Sequence, residues 1–275
     1  MRRTNAFIFA LGSILACRAT ASAAQGNPQP EQLLRAAVNA PNHVSFVGQV
    51  QTISYGQSRS EAAVYRIEHG APEATRRWYI APQSLYGDSV VSRGSTIYDI
   101  DVKHNRVIVS KDDAIDDQVA LDDNFGLLLH NYRAVMSPND SVAGRVARTV
   151  LLINKYTGQA ALRIWIDAET NLVLQKEQYA GNGAITSSMR FEAVRFVAAL
   201  PHQVFQIPTS GYERVQGANH GTPSSDLGGV VRTAGFAARF PRTIPHGFVP
   251  VTGNVTAIRG VRSLHLLYSD GVRTV

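Results

Sequence analysis

The chain holds a single cysteine, Cys17, among 275 residues. An intramolecular disulfide is excluded, and so is any cysteine-rich zinc or iron–sulfur centre. Charge is scarce too: charged residues make up 17% against 44% hydrophobic, a balance that supports a buried core and excludes disorder of the whole chain. No apolar run approaches the roughly 18–20 residues of a membrane helix. The formal charge of +6 drops to +3 once Arg2, Arg3 and Arg18 near the N-terminus are set aside, too weak an excess to argue for a nucleic-acid partner. Catalytic signatures are missing as well: there is no G-x-S-x-G elbow, no phosphate-cradling G-x-x-x-x-G-K-[ST], no H-E-x-x-H and no dinucleotide fingerprint. The eight histidines are scattered, with no pair four apart on a helix, so no metal and no cofactor are expected. The one carboxylate cluster, Asp112-Asp113, Asp116-Asp117 and Asp122-Asp123, lacks the alternating acids around a central glycine that a calcium loop needs. Interleaved with Ile115, Val119 and Leu121, it reads as the wet face of one or two helices across Asp112–Tyr132. Nothing points to an enzyme.

What is present begins with a leader. Met1-Arg2-Arg3-Thr4-Asn5 is a short positive start, Ala6 to Ala16 is apolar but too short to span a bilayer, and Ala21-Ser22-Ala23 is a small-x-small cleavage site. Residues 1–23 therefore read as a signal peptide and the protein as exported. Cys17 has two readings: it leaves with the leader, or it becomes the lipid-modified first residue of an anchored lipoprotein. Residues 24–31 are polar and Pro-rich, a tether. Gln32–Asn39 carries Leu33, Leu34, Ala37 and Val38 on one helical face.

After Pro41 the period becomes two. Val44, Phe46, Val50 and Thr52 share one parity, and short strands follow at 62–69, 76–81, 89–92, 96–102 and 106–110, broken by glycine and proline. Turns every ten residues or so favour an antiparallel sheet, because parallel strands need long crossovers. Strands resume at 147–154, 160–167, 172–179 and 184–196, joined by hairpins at 168–171 and 181–183. A Gly, Ser, Asn and Pro-rich stretch without periodicity marks 211–235 as a linker. It divides a domain over 32–210 from a small one over 236–275.

Several segments, taken in order, resemble the RseB/MucB family of periplasmic negative regulators of the sigma-E envelope-stress response. Leu33-Leu34-Arg35-Ala36-Ala37 followed by Ser45-Phe46-x-Gly48 is similar to the family's first helix and aromatic-x-Gly strand, and Ile67-Glu68-His69 to the end of its second strand. Then come Asn131-Tyr132, Val142-Ala143-Gly144-Arg145, Leu162-Arg163-Ile164-Trp165-Ile166-Asp167 and Glu169-Thr170-Asn171-Leu172-Val173-Leu174. Asn171 stands where the family's hairpin usually has Gly; both suit a positive-φ turn. Ile244-Pro245-x-Gly247-Phe248 and His265-Leu266-Leu267-Tyr268-Ser269-Asp270-Gly271 resemble motifs of the family's small C-terminal domain. That domain looks truncated here, since the chain ends four residues after Gly271, and Val272 stands where the family usually has Leu.

The resemblance implies a mainly β, α+β fold: a strongly curved antiparallel half-barrel, like that of the LolA and LolB lipoprotein carriers, with helices on its concave side, and a small C-terminal α+β domain. It also implies a non-enzymatic regulator that binds the periplasmic domain of a membrane anti-sigma factor and senses a lipid or an unfolded outer-membrane polypeptide; it allows a homodimer. The alternative is a lipid or lipoprotein carrier using the same trough. Candidate trough residues are Phe46, Val50, Tyr65, Ile67, Trp78, Ile80, Ile164 and Ile166, all of which could equally be plain core. The candidate partner-binding motif is Phe248, His265, Tyr268, Ser269, Asp270 and Gly271. Trp165 stands out, an aromatic between Arg163 and Asp167 on the nominally wet face of its strand. It calls for cover by a helix or the C-terminal domain, or for a cation–π contact with Arg163.

Overall fold

A computed structural model of the chain describes residues 29–56, 58–72, 74–111, 125–217, 224–258 and 261–275. The leader, Cys17, most of the tether and the aspartate pairs of 112–123 lie outside these residues. Helix α1 (Pro30–Asn39) opens the fold, followed by β1 (Ser45–Tyr55), β2 (Ser60–Gly70), β3 (Ala74–Ala81), β4 (Ser89–Arg93), β5 (Thr96–Asp101) and β6 (Arg106–Lys111). Helix α2 (Phe125–Asn131) leads into β7 (Tyr132–Val142), β8 (Arg145–Asn154), β9 (Ala160–Asp167), β10 (Val173–Tyr179) and β11 (Ile185–Val197). Then come β12 (Glu213–Gln216), α3 (Leu227–Ala234), β13 (Val249–Ile258) and β14 (Val261–Ser269).

Twelve strands form one large, curved, open sheet in the order β12-β6-β5-β4-β3-β2-β1-β11-β10-β9-β8-β7. Every pairing is antiparallel except β12 with β6. The key closure is β1 with β11, which brings the first long strand beside the last and makes the two hairpin runs one surface. The ten strands expected from alternation are all present, with ends moved by at most three residues.

Two things were not expected. Strand β7 was not anticipated because Pro138 and the polar run Ser137–Asp140 break its alternation; as an edge strand it tolerates the proline, and its register slips there. The linker carries structure: β12 extends the sheet, and α3 packs on β13 and β14. Gly228 and Gly229 hid α3 from a propensity reading, but Asp226 caps its start by accepting from the Gly229 N–H at 2.9 Å, and Gly235 closes it with φ of 73°.

Helix α1 buries Leu33, Leu34 and Ala37 as its stripe dictates, and these join Leu128 of α2 and Val150, Leu152, Leu162, Ile164 and Ile166 of β8 and β9 in one cluster. Both helices thus cover the same region of sheet. Asn171 takes φ of 62°, the turn conformation expected of it. At Ala143-Gly144 both φ values are positive, 51° and 74°, which suits the twist of a two-residue hairpin between β7 and β8.

Gly48 shows why an aromatic-x-Gly strand is needed here. A Cβ at this position would sit 2.7 Å from the Ala193 carbonyl oxygen and 2.9 Å from the Phe191 ring. Gly48→Ala should cost about 1–3 kcal/mol through this overpacking, as read by chemical unfolding. No loss of stability would show that β1 and β11 adjust freely.

Candidate functional site

The eight trough candidates divide. Phe46, Val50, Tyr65 and Ile67 fall in one buried cluster with Phe191 and Leu174, while Ile164 and Ile166 belong to the helix-covered cluster. None of the six is more than 7% exposed, so they are packed core with no open trough between them. Trp78 and Ile80 go elsewhere. Register sets Tyr65 opposite Tyr79 and Arg66 opposite Trp78, so Trp78 and Ile80 share the face of Arg66 and turn away from Tyr65 and Ile67. They stand 44% and 42% exposed. Parity within β3 is readable in the sequence; its phase against β2 is not, because the turn between the two strands sets it, in a register unbroken from Gly70 opposite Ala74 to Tyr65 opposite Tyr79.

On that face Ala193, Gln49, Arg66, Trp78 and Ser89 are successive register partners across five strands. All of them but Ser89 line a depression of about 460 Å3 whose walls also include Val47, Ile80 and Arg195. Arg66 is held by Glu68 at 3.1 Å and keeps half of its side chain in solvent; Arg195 is exposed. An indole and aliphatic groups flanked by two guanidinium groups suit a segment that offers an apolar side chain next to a carboxylate. Arg66 and Arg195 were not among the sequence candidates, since only strand pairing brings them beside Trp78.

The C-terminal motif divides as well. His265 is exposed on β14, its ring nitrogen 3.0 Å from Thr256 Oγ1, and Phe248 is half-buried. Tyr268, Ser269, Asp270 and Gly271 are buried, and the turn they form seats on α2 and the start of β7. Asp270 Oδ1 accepts from the N–H groups of Val272 and Arg273 at 2.9 and 2.7 Å, and its Oδ2 accepts from the Tyr132 hydroxyl at 2.5 Å. Asn131 Nδ2 donates to the carbonyls of Gly247 and Asp270 at 2.7 and 2.9 Å. Burial, and then the Asp270 carboxylate, drive the Tyr132 phenol well above its ordinary pKa. It therefore stays a proton donor at any physiological pH. This motif binds the chain's own Asn131-Tyr132.

Among the described residues no cluster of His, Cys, Asp and Glu could hold a metal ion. No described helix is long and apolar enough to cross a membrane.

The family described as MucB/RseB N-terminal domain matches residues 29–209. The chain belongs to the MucB/RseB family. Its fold is similar to that of MucB in the Pseudomonas aeruginosa MucA/MucB complex, at 16% identity over 89% of this chain and 77% of that one, with a TM-score of 0.62. MucB in complex with MucA(peri) compares at 17% identity over 90% and 77%, TM-score 0.60, and MucB alone at 15% over 90% and 78%, TM-score 0.57. No curated protein sequence matches it.

The segments that carry the resemblance in sequence meet in pairs. Phe46 stacks on His69 with ring centroids 5.0 Å apart, and the His69 ring nitrogens contact Thr75 Oγ1 at 2.8 Å and the Pro41 carbonyl at 2.7 Å. Burial lowers the His69 pKa, against the opposing pull of that carbonyl. Arg145 of Val142-Ala143-Gly144-Arg145 pairs with Asp167 of the Trp165 strand at 2.5 Å. Asn131-Tyr132 meets Asp270-Gly271. Each pair ties two segments distant in sequence.

Proposed function

We propose that the protein is a non-enzymatic periplasmic regulator that binds the periplasmic segment of a membrane anti-sigma factor. The family match over residues 29–209 carries this reading, supported by a fold similar to that of MucB in its complex with MucA. Release is proposed to follow when a lipid or misfolded envelope polypeptide is sensed, which requires that ligand to bind the released form more tightly. A carrier needs an apolar trough open to its cargo, and the six close-packed candidates favour the regulator instead. The depression beside Trp78 is the receiving surface we assign to the partner.

Titration of the exported form with periplasmic segments of anti-sigma factors, MucA's among them, tests the reading by calorimetry. Binding at or below tens of micromolar is expected; no binding with or without detergent overturns it. Trp78→Ala should raise Kd at least about tenfold, as loss of an aromatic anchor does. Since Trp78 is exposed, stability should move by no more than about 0.5 kcal/mol. An unchanged Kd would show that the partner docks elsewhere.

A further inference from the structure

The turn at Asp270–Val272 enters the helix-covered cluster from outside the domain that forms it. Gly271 takes φ of 94°, and a Cβ on it would lie 2.5 Å from the Leu128 backbone nitrogen and 2.6 Å from its Cα. Only glycine can press this closely against α2. Val272 follows it inward, 1% exposed, in one cluster with Leu33, Leu34, Leu128, Ile164 and Ile166. An apolar site below α2, which includes the trough candidates Ile164 and Ile166, is therefore filled by the chain's own valine.

The unit that supplies this valine is loosely attached. Strands β13 and β14 form a separate two-stranded sheet, and neither they nor α3 pack extensively on any element of the large one. Besides that turn, the junction rests on the Asn131 and Tyr132 bonds, on the Tyr156 and His246 rings stacked at 5.8 Å, on Gln178 Nε2 donating to the Val272 carbonyl at 3.2 Å, and on Arg273 donating to the Tyr179 carbonyl at 3.0 Å. Hydrogen bonds exchange for water at modest net cost, and a small junction between units permits relative motion. The apolar seat has no such exchange. Once Val272 leaves, Leu128 and its neighbours face water until another apolar group covers them.

We propose that Gly271-Val272 is a releasable plug, an internal occupant that keeps the apolar site under α2 closed until the C-terminal unit lifts away. Lifting the unit and filling the site from outside are then linked, each favouring the other. The plug stands on these contacts alone and does not depend on the regulator reading.

Hydrogen exchange on the full exported chain tests it, with 1-anilinonaphthalene-8-sulfonate as the apolar probe. Gly271→Val cannot seat the turn. Amides of α2 should then exchange at least about tenfold faster, while those of β1–β3 and β13–β14 keep their protection. Dye emission should rise at least about twofold as the site opens. Tyr132→Phe removes one anchor and no volume from the seat, and should move both readouts the same way by a smaller factor. If α2 protection and dye emission stay at wild-type values in folded Gly271→Val, the plug is overturned. Should that variant not fold, unchanged α2 exchange in Tyr132→Phe overturns it by itself.

Discussion

Trp165→Ala should lower the unfolding free energy by about 3–5 kcal/mol, the range for truncating a well-buried aromatic. The residue sits on the parity of β9 expected to be wet, yet it is 5% exposed. Its cover is neither a helix nor the C-terminal unit. The indole lies in the cluster with Val142, Ala147, Leu172 and Leu174, its Nε1 donates to Asp140 Oδ2 at 3.1 Å, and the Arg163 guanidinium carbon stands 5.7 Å from the ring centre. Removing the ring leaves a cavity among those side chains and frees both polar partners. Asp140 is exposed, so its loss adds little, and the cavity accounts for most of the effect. Fluorescence checks the burial independently, because Trp78 is the only other tryptophan. Trp78→Phe should leave blue-shifted emission, and Trp165→Phe should leave emission near the water-exposed position. A loss below about 1 kcal/mol for Trp165→Ala would mean that the cluster collapses to fill the space.

The period-two strands and their hairpins were legible because each is a local signal: one alternating face, then a residue that accepts positive φ. Strand β7 and helix α3 were not, because Pro138 in one and Gly228-Gly229 in the other contradict the element that tertiary packing imposes. The site was read less completely than the fold. Apolar residues of the right parity were found, but parity says nothing of which strands lie side by side. The pairing of β1 with β11, and the register that the β2–β3 turn sets, decided that Phe46 and Tyr65 are core while Trp78 and Ile80 line a depression with Arg66 and Arg195. The C-terminal motif was conspicuous by its residues, and its use was hidden because its partners, Asn131 and Tyr132, lie well over a hundred positions away. A motif seen one segment at a time invites a role toward another molecule. Here the other half is in the same chain.

Asp167→Ala is the second large effect, again about 3–5 kcal/mol, the cost of breaking a buried charge pair from one side. Asp167 is 1% exposed at the end of β9. Its Oδ1 accepts from the Thr170 N–H at 2.8 Å, the Thr170 hydroxyl at 2.9 Å and the Glu169 N–H at 3.1 Å, which builds the turn into β10. Its Oδ2 accepts from Arg145 Nε at 2.5 Å, which ties that turn to the β7–β8 hairpin, and the Arg145 guanidinium also lies 4.7 Å from the Phe196 ring centre. One carboxylate therefore joins two hairpins and orients the cation against β11. Burial pushes its pKa up, but Arg145 and the Thr170 and Glu169 donors outweigh burial and hold it below the usual carboxylate value. A carboxyl depressed in the folded state stabilises fully above its unfolded pKa, about 3.9, and that stability is lost as pH falls through the folded value. Asp167→Asn keeps the size and loses the charge. It should cost about 1–3 kcal/mol at pH 7, the worth of hydrogen bonds to a charged group. The gap between wild type and Asp167→Asn in urea unfolding should then narrow steadily below about pH 4. A gap that stays constant from pH 7 to pH 3 would show that the turn geometry, and not the ion pair with Arg145, carries the contribution of Asp167.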